Sequence, residues 1–512
     1  LLSTLTNLSN ISRLFQVLLP FSFDFLDQTL NLLIGFLLLG FARGISQKVK
    51  RAFWPTILLL IFGIINTVAR TASVRLIVVY LVILLIVWMS RREFYRGRFV
   101  YSWGALVFDG ILFGLLFIFY AVAGYHSGQI WSTERLSAKY FAFPSEEIWF
   151  SGLVGLILSI LCLAILYQYL TQSETKLGAA WDEKRFNYLI NRYGGTPASH
   201  YLRVSGYQYF YYQENGNDQI VFGFQTRANK CFVLGDPVGN PEKWQAATFA
   251  FMEHADKLGY QLAFYKISEE YVLLLHDLGF HFDKIGETGV TDFTRHKHDV
   301  FSDRFEFKRL TNEGYQFIYF ENLPEEVFEE LEEISDEWLN GEKEKCFSVG
   351  RFDRGYIETS NVGIARDPQN RIVGFITEQP INKEKASFDL LRFRNDVPNE
   401  LPTFLKLHLM DELKRQGYCE VYQGMAPLAK VGETSFAFLG ERIMNLIYKY
   451  GHSIYAFQQV TEEKTVYVDR WRPRYFAYMK DSSFLFSALQ LLYLIGRGKN
   501  KGVTISEEMI EV

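Results

Sequence analysis

The chain has 512 residues, of which 49% are hydrophobic and 17% aromatic, and a formal net charge of −4. That length sets an expectation of two to four domains, and the charge balance gives no support for nucleic-acid binding as a global property while leaving a local basic groove open. The four cysteines, Cys162, Cys231, Cys346 and Cys419, lie far apart with no Cys-x-x-Cys pair, so neither a disulfide framework nor a zinc site is signalled and reduced thiols suit a cytosolic face.

The average hides two unlike halves. Before about Leu170 the chain is almost wholly apolar and aromatic, and after it charged residues reach ordinary globular density. It starts at Leu1 without a methionine or a signal-peptide pattern, which suggests a piece of something longer. A membrane-spanning helix needs about 20 mostly apolar residues. Five segments approach that, 27–42, 53–68, 76–89, 103–123 and 148–170, with 1–21 as a sixth span or an interfacial helix. Arg43, Lys48, Lys50 and Arg51 follow the first span, and Arg91, Arg92, Arg96 and Arg98 follow the third. The alternate loops hold fewer cations, Arg70 and Arg75 in one, Arg135 and Lys139 in the other. The cation-rich loops, and with five spans the half that follows, are therefore expected on the cytoplasmic side. Asp109 in the fourth span either faces a polar interior or sits near a helix end.

A polar linker is expected at 171–183, then a first α+β unit over 184–304. Its strands fall at 207–213, 219–226 and 230–234, separated by Asn-Gly and Ala-Asn turns. A helix at 242–258 stops at Gly259, a strand follows at 261–266, and a helix at 269–278 stops at Gly279. A second unit over 305–496 repeats the style. An acidic helix at 323–339 starts with Pro324, and strands follow at 362–366, 372–379 and 386–393. Next come a helix at 401–416, a strand at 420–424, helices at 435–450 and 484–495, and a flexible tail at 497–512. The fold class expected is a multi-span α-helical membrane domain over 1–170, followed by an α+β tandem acyltransferase-like cytosolic domain.

Within this order the stretch Ser387-Phe388-Asp389-Leu390-Leu391-Arg392-Phe393-Arg394 stands out, because it places a carboxylate and two guanidiniums in a core strand. An unpaired buried carboxylate costs several kcal/mol, so Asp389 is either paired or faces a polar pocket. Asp389 and Arg392 are three apart and point to opposite faces of a regular strand. They share a site only if the strand bulges or ends there; otherwise the charges form a structural ion pair.

Strands around a central helix, then a strand and a second helix, is the layout of the Gcn5-related acyltransferase fold. A coenzyme A-dependent enzyme needs a glycine-rich loop whose backbone N–H groups hold pyrophosphate. The helix at 401 opens instead with Asn395-Asp396-Val397-Pro398-Asn399-Glu400, acidic and without glycine. No cofactor is therefore expected, and an acyl group must come from another donor.

Seven ordered motifs carry a resemblance. They are Val233-Leu234-Gly235-Asp236-Pro237-Val238-Gly239, Ile334-Ser335-Asp336-Glu337-Trp338-Leu339, Cys346-Phe347-Ser348-Val349-Gly350-Arg351-Phe352-Asp353, Ser387 to Arg392, Gly424-Met425-Ala426-Pro427-Leu428, Glu441-Arg442 and Trp471-Arg472-Pro473-Arg474-Tyr475. In that order they resemble the lysylphosphatidylglycerol synthase family, the bacterial multiple peptide resistance factors. The resemblance covers about 21–495. It implies transfer of an aminoacyl group, usually lysyl or alanyl, from charged tRNA to the glycerol head of phosphatidylglycerol, which alters membrane surface charge and resistance to cationic antimicrobial peptides. Aminoacyl-tRNA is then a co-substrate, and the partners are that tRNA, phosphatidylglycerol and the bilayer, with self-association and a separate flippase left open. The expected spans are too few to include the flippase bundle that many family members carry.

The same resemblance makes Asp389 and Arg392 the catalytic candidates. Asp389 would orient the donor's α-ammonium or act as a base, and Arg392 would hold a phosphate or the developing oxyanion. Asp336 and Glu441 are candidates for the amino-acid pocket, and Arg442, Lys449 and Arg474 for tRNA or lipid phosphate, each against a reading as ordinary surface charge. Asp236 also stands in the binding set, although it reads more simply as closing a turn. His296 and His298 read as solvated. Two other readings stay open: a different acceptor, such as diacylglycerol or a cell-wall peptide, and a transport or scaffold protein without activity.

Overall fold

The structure is a computed structural model that describes residues 28–70, 74–131, 146–172, 176–295, 301, 304–452, 455–480 and 482–496. The expected span at 1–21, the histidines at 296 and 298, and the tail at 497–512 lie outside them. The chain divides into two compact units, residues 1–176 with 253–260, and 177–252 with 261–512.

The first unit holds α1 (Gln28–Ser46), α2 (Lys50–Arg70), α3 (Val74–Met89), α4 (Trp103–Trp131) and α5 (Glu146–Thr171). Gly40 lets α1 approach α5, since a Cβ there would stand 2.6 Å from the Leu163 side chain. The helices leave large apolar side chains outward, among them Leu58 and Ile65 on α2, Leu85 on α3, Leu115 on α4 and Ile160 on α5. Apolar exposure on that scale marks an interaction surface. The five expected spans fall on these five helices, yet among the described residues only Leu153–Thr171, in α5, is long and apolar enough to cross a membrane. Shorter apolar stretches occupy Phe36–Ser46 and Gly104–Leu115. Asp109, in the second turn of α4, accepts from Arg43 Nη2 at 2.5 Å and from Tyr101 at 3.1 Å. Its charge is met by a partner at the end of α1, so the helix-end reading and the polar reading meet in one ion pair.

The second unit starts with α6 (Glu183–Tyr193), capped by Asp182 accepting from the Arg185 N–H, where the sequence suggested linker giving way to strands. Next come β1 (Gln208–Glu214), β2 (Asn217–Arg227), β3 (Lys230–Leu234), β4 (Val238–Gly239), α7 (Trp244–Lys257), β5 (Gln261–Ile267), α8 (Glu269–Asp277) and β6 (Phe280–Asp292). The second half continues with α9 (Phe305–Asn312), β7 (Gln316–Phe320), α10 (Glu325–Leu339), α11 (Arg354–Glu358), β8 (Asn361–Arg366), β9 (Ile372–Pro380), β10 (Lys385–Phe393) and α12 (Leu401–Arg415). It closes with β11 (Glu420–Pro427), α13 (Leu439–Tyr450), α14 (Phe457–Thr465), β12 (Arg470–Met479) and α15 (Phe484–Gly496).

Among the described residues the strands form one mixed sheet in the order β1-β2-β3-β5-β12-β6-β11-β10-β9-β8-β7, with β4 on β2. The layout expected from the sequence occurs twice. β3 runs parallel to β5 with α7 between them in sequence, and β10 runs parallel to β11 with α12 between them. The halves are interleaved, however: β12, from the end of the chain, lies between β5 and β6, and β6 lies between β12 and β11. Residues 184–304 and 305–496 therefore share the middle of one sheet.

Two apolar layers flank the second half. Phe388, Leu391 and Phe393 face the layer built on α12, with Phe404, Leu405 and Leu409. Leu390 faces the other, with Leu331 and Ile334 of α10 and Tyr356 of α11. Parallel pairing of β10 with β11 lasts only from Lys385–Ser387 against Glu420–Tyr422. Beyond it both strands slip register, β10 between Phe388 and Leu391 and β11 between Tyr422 and Met425.

Candidate active site

The bulge in β10 decides which charges meet. Phe388 pairs with Glu378 of β9 and Leu391 with Ile376, so β10 advances three residues while its partner advances two. The extra residue turns Asp389 and Leu390 to one face and returns Arg392 to it. Asp389 and Arg392 thus share a face, which a regular strand would have forbidden.

Asp389 accepts from the Tyr356 hydroxyl at 2.6 Å, and Tyr201 also hydrogen-bonds to it. Gly350 presses against the carboxylate: a Cβ there would stand 1.6 Å from Asp389 Oδ2, so no side chain fits. Burial pushes the Asp389 carboxyl up, against the pull of Tyr356 and of the Lys266 ammonium. Lys266 donates to the Ser348 carbonyl at 2.6 Å, and burial brings it down to about 8 despite Asp389. Lys464, on α14, donates to the Gln423 carbonyl in the bulge of β11. Burial, with Lys406 and Lys266 nearby, lowers it to about 7. Gly424 has φ +73°, and a Cβ there would stand 3.0 Å from Lys464 Nζ.

Arg392 shares Asp389's face but is engaged elsewhere. Its guanidinium binds the Glu344 carboxylate through two hydrogen bonds of 2.8 Å and donates to Ser335 Oγ at 2.5 Å. It also lies 5.1 Å from the Trp338 ring centre. Glu344 in turn accepts from the Phe352 N–H at 3.0 Å. Arg392 therefore ties β10 to α10 and to the 344–352 segment that delivers Ser348 and Gly350.

A pocket beside this cluster is lined by Tyr201, Asp236, Lys266, Ser387, Gly424 and Arg474, among others. Asp236 accepts from the Ser268 N–H at 2.8 Å, which fixes the turn that opens α8. Burial raises its carboxyl, opposed by Arg474. Arg474 is buried, donates from Nε to Thr288 at 3.0 Å, and is lowered by burial. Both residues line the pocket, and among the described residues Asp236 closes no local turn of its own but ties the end of β3 to the start of α8.

The remaining candidates stand apart from the Asp389 cluster. Asp336 is exposed on α10, next to the inward Ser335. Glu441 accepts from the Phe438 N–H at 3.2 Å and closes the first turn of α13. Arg442 and Lys449 are exposed on α13. The helix-opening loop expected to lack a phosphate cradle is occupied by its own pairs: Asp396 with Arg371, Glu400 with Arg309, and the Asn395 N–H with Glu337 at 2.8 Å.

Tyr201, Tyr356, Lys266 and Lys464 are cluster members that the sequence reading missed. Lys266 did carry the signal that exposed Asp389, a charge inside an apolar strand, here Leu262-Ala263-Phe264-Tyr265-Lys266-Ile267. Lys464 follows Thr461-Glu462-Glu463 on a polar helix and carried none.

A family model described as "Phosphatidylglycerol lysyltransferase, C-terminal" matches residues 187–478, more than half of the chain. Phosphatidylglycerol lysyltransferase of Bacillus subtilis (strain 168) is 30% identical over 482 residues, covering 93% of this chain and 56% of the relative. That of Staphylococcus xylosus is 30% identical over 465 residues, covering 88% of this chain and 53% of the relative. The chain thus spans about half the length of these relatives. Among solved structures, L-PGS from Bacillus licheniformis superimposes with a TM-score of 0.54 at 28% identity, covering 63% of this chain and 100% of that one. The C-terminal domain of a putative lysylphosphatidylglycerol synthetase from Agrobacterium fabrum gives a TM-score of 0.53 at 25% identity, covering 62% and 98%. The chain belongs to the phosphatidylglycerol lysyltransferase family.

Proposed function

We propose that this chain transfers an aminoacyl group, lysyl in keeping with its relatives' names, from aminoacyl-tRNA to the glycerol headgroup of phosphatidylglycerol. The observation that carries the reading is the broken parallel ladder of β10 and β11, which gathers Asp389, Tyr356, Lys266 and Lys464 where the strands part. The loop opening α12 supports it, since it has no glycine and its polar groups are engaged, Asp396 with Arg371 and Glu400 with Arg309, which leaves no backbone cradle for a pyrophosphate.

The reaction is a transesterification. A glycerol oxygen attacks the ester carbonyl, its proton leaves, and the bond to the ribose oxygen breaks as that oxygen takes up a proton. Lys464, at about 7, is part neutral at physiological pH and suits the role of proton acceptor. Asp389, held by Tyr356 and Tyr201, suits the donor's α-ammonium, an alignment that a neutral side chain would not give. Lys266 and Arg474 supply positive charge for a phosphate or for the oxyanion. Arg392 acts through Glu344 as a positioning residue rather than as a phosphate ligand.

The first unit fits a multi-span bundle in the bacterial cell membrane, with the second unit on the cytoplasmic side, on the strength of its outward apolar side chains and the cations after α1 and α3. The deciding experiment supplies the purified chain with radiolabelled lysyl-tRNA or alanyl-tRNA and vesicles of phosphatidylglycerol or diacylglycerol, then identifies the lipid product by mass spectrometry. Lysyl-phosphatidylglycerol is the expected product. Its absence with every donor, while the chain remains folded, overturns the reading.

A further inference from the structure

We propose that α13 and the loop before it are a docking surface for an anionic lipid bilayer, which seats the second unit where its acceptor resides; this rests on the reading above that the acceptor is a lipid. α13 turns an apolar face outward. Leu439, Ile443, Leu446, Ile447 and Tyr450 recur at the spacing of one helical face, and all are exposed, Leu439 by 74% and Tyr450 by 72%. The inward face carries Met444 and Asn445, both buried. Asn445 donates to the Val431 carbonyl at 2.9 Å, and Glu441 accepts from the Phe438 N–H. Phe436, 96% exposed, and Phe438, 81% exposed, extend the apolar stripe past the helix start.

Arg442 and Lys449, seven apart, run along one flank of that stripe, and both are exposed. An apolar face with aromatic side chains at its rim and cations alongside is the chemistry of a helix lying in a phospholipid headgroup layer. Nucleic acid would leave the apolar stripe unmatched. Chain connectivity supplies the occupant: residues 172–176 alone separate Leu153–Thr171, long and apolar enough to cross a membrane, from the start of the second unit, so a bilayer that holds this stretch tethers that unit. The segment that receives Asn445 follows directly on β11, whose Gly424 and Met425 line the pocket. A lipid headgroup at α13 would therefore stand a few residues of chain from the cleft.

The test uses the full chain in vesicles containing a phosphatidylglycerol analogue with a diazirine in its acyl chain. After irradiation, tryptic peptides are mapped for lipid adducts. The expected adducts fall on peptides 431–442 and 443–449, and the doubly substituted Ile443→Glu, Leu446→Glu chain loses them. Its transfer to bilayer phosphatidylglycerol falls about ten-fold, while transfer to a water-soluble short-chain phosphatidylglycerol stays within about two-fold, which also reports an intact fold. Absence of adducts on 443–449 in the unsubstituted chain, with peptides of 153–171 labelled, overturns the proposal. So does a dimer that the substitutions turn into a monomer, since a second copy would then cover the face. Failure of the unsubstituted chain to use the short-chain lipid overturns the proposed reaction instead, and leaves the adduct map to judge the docking.

Discussion

In the first half of the sheet β3 and β5 hold parallel register from Lys230 against Gln261 to Leu234 against Tyr265, and every residue of β3 is buried. In the second half β10 and β11 hold it only from Lys385 to Ser387 before both bulge. The intact pair is filled by apolar side chains such as Phe232 and Phe264. The broken pair leaves backbone and side-chain polar groups facing a gap, and the titratable cluster collects there. Two copies of one layout thus divide their work: the interrupted ladder opens the gap, and the continuous one brings Lys266, near the end of β5, to it.

The largest effect should come from Asp389. Asp389→Asn keeps shape and one acceptor oxygen while removing the charge, and should lower kcat by about 10²- to 10⁴-fold with little change in Tm. Steady-state transfer of radiolabelled lysine to lipid measures it; activity within about two-fold of the parent would break the link between the bulge and the chemistry.

Next is the tie that holds the gap open. Arg392→Ala leaves Glu344 buried without its partner and should cost about 3–5 kcal/mol by denaturant unfolding. Pairing Arg392→Met with Glu344→Gln should recover most of that stability, because it removes both charges rather than one. If Arg392→Ala costs no more than an exposed substitution, the ion pair does not hold the segment that carries Gly350.

A matched pair of glycine substitutions sharpens the contrast further. Gly350→Ala places a methyl group against Asp389 Oδ2, whereas Gly223→Ala, on β2, meets Leu202 at 2.3 Å. Both should lower Tm by a few degrees, about 1–3 kcal/mol of overpacking. Only Gly350→Ala should reduce kcat beyond what the folded fraction explains.

The smallest effect is in pH. If neutral Lys464 accepts the proton, kcat rises as pH passes through about 7 and levels off above it. Lys464→Arg should flatten that limb. The linked effect on stability has the same sign: Lys464 titrates near 7 when folded and near 10.5 when unfolded. The unfolded chain holds the extra proton between those values, so stability contributed by this group rises with pH across the window. A kcat profile flat from pH 6 to 8 would assign the proton to another group.

How much of this was legible in the sequence differs by physical cause. That Asp389 and Arg392 share a face only across a bulge or strand end followed from strand periodicity, because residues three apart otherwise point to opposite faces, whereas their candidacy for catalysis came from the resemblance. The engagement of Arg392 by Glu344 did not, since the two meet across 48 positions of chain and only packing brings them together. Tyr201 and Tyr356 were hidden because tyrosine is common in cores, and nothing local distinguishes a phenol aimed at a carboxylate from one aimed at solvent. Glu441 was read as a pocket residue and lies at the start of α13, a position where a carboxylate is explained by backbone capping. The interleaving of β6 and β12 was beyond local reasoning, because repeated style along a chain says nothing about which strands pair.

That interleaving governs how the protein can be made. With β12 seated between β5 and β6, the first half cannot close its sheet while residues 470–479 are still on the ribosome. About 180 residues of later chain must emerge before an early gap is filled, counted from Asp292 to Arg470. During that interval the flanks of β5 and β6 are open edges, and the nascent protein should depend on chaperones to keep them from pairing wrongly. A stop codon shortly before residue 470 would remove a central stave rather than a tail, so late truncations should be as damaging as early ones.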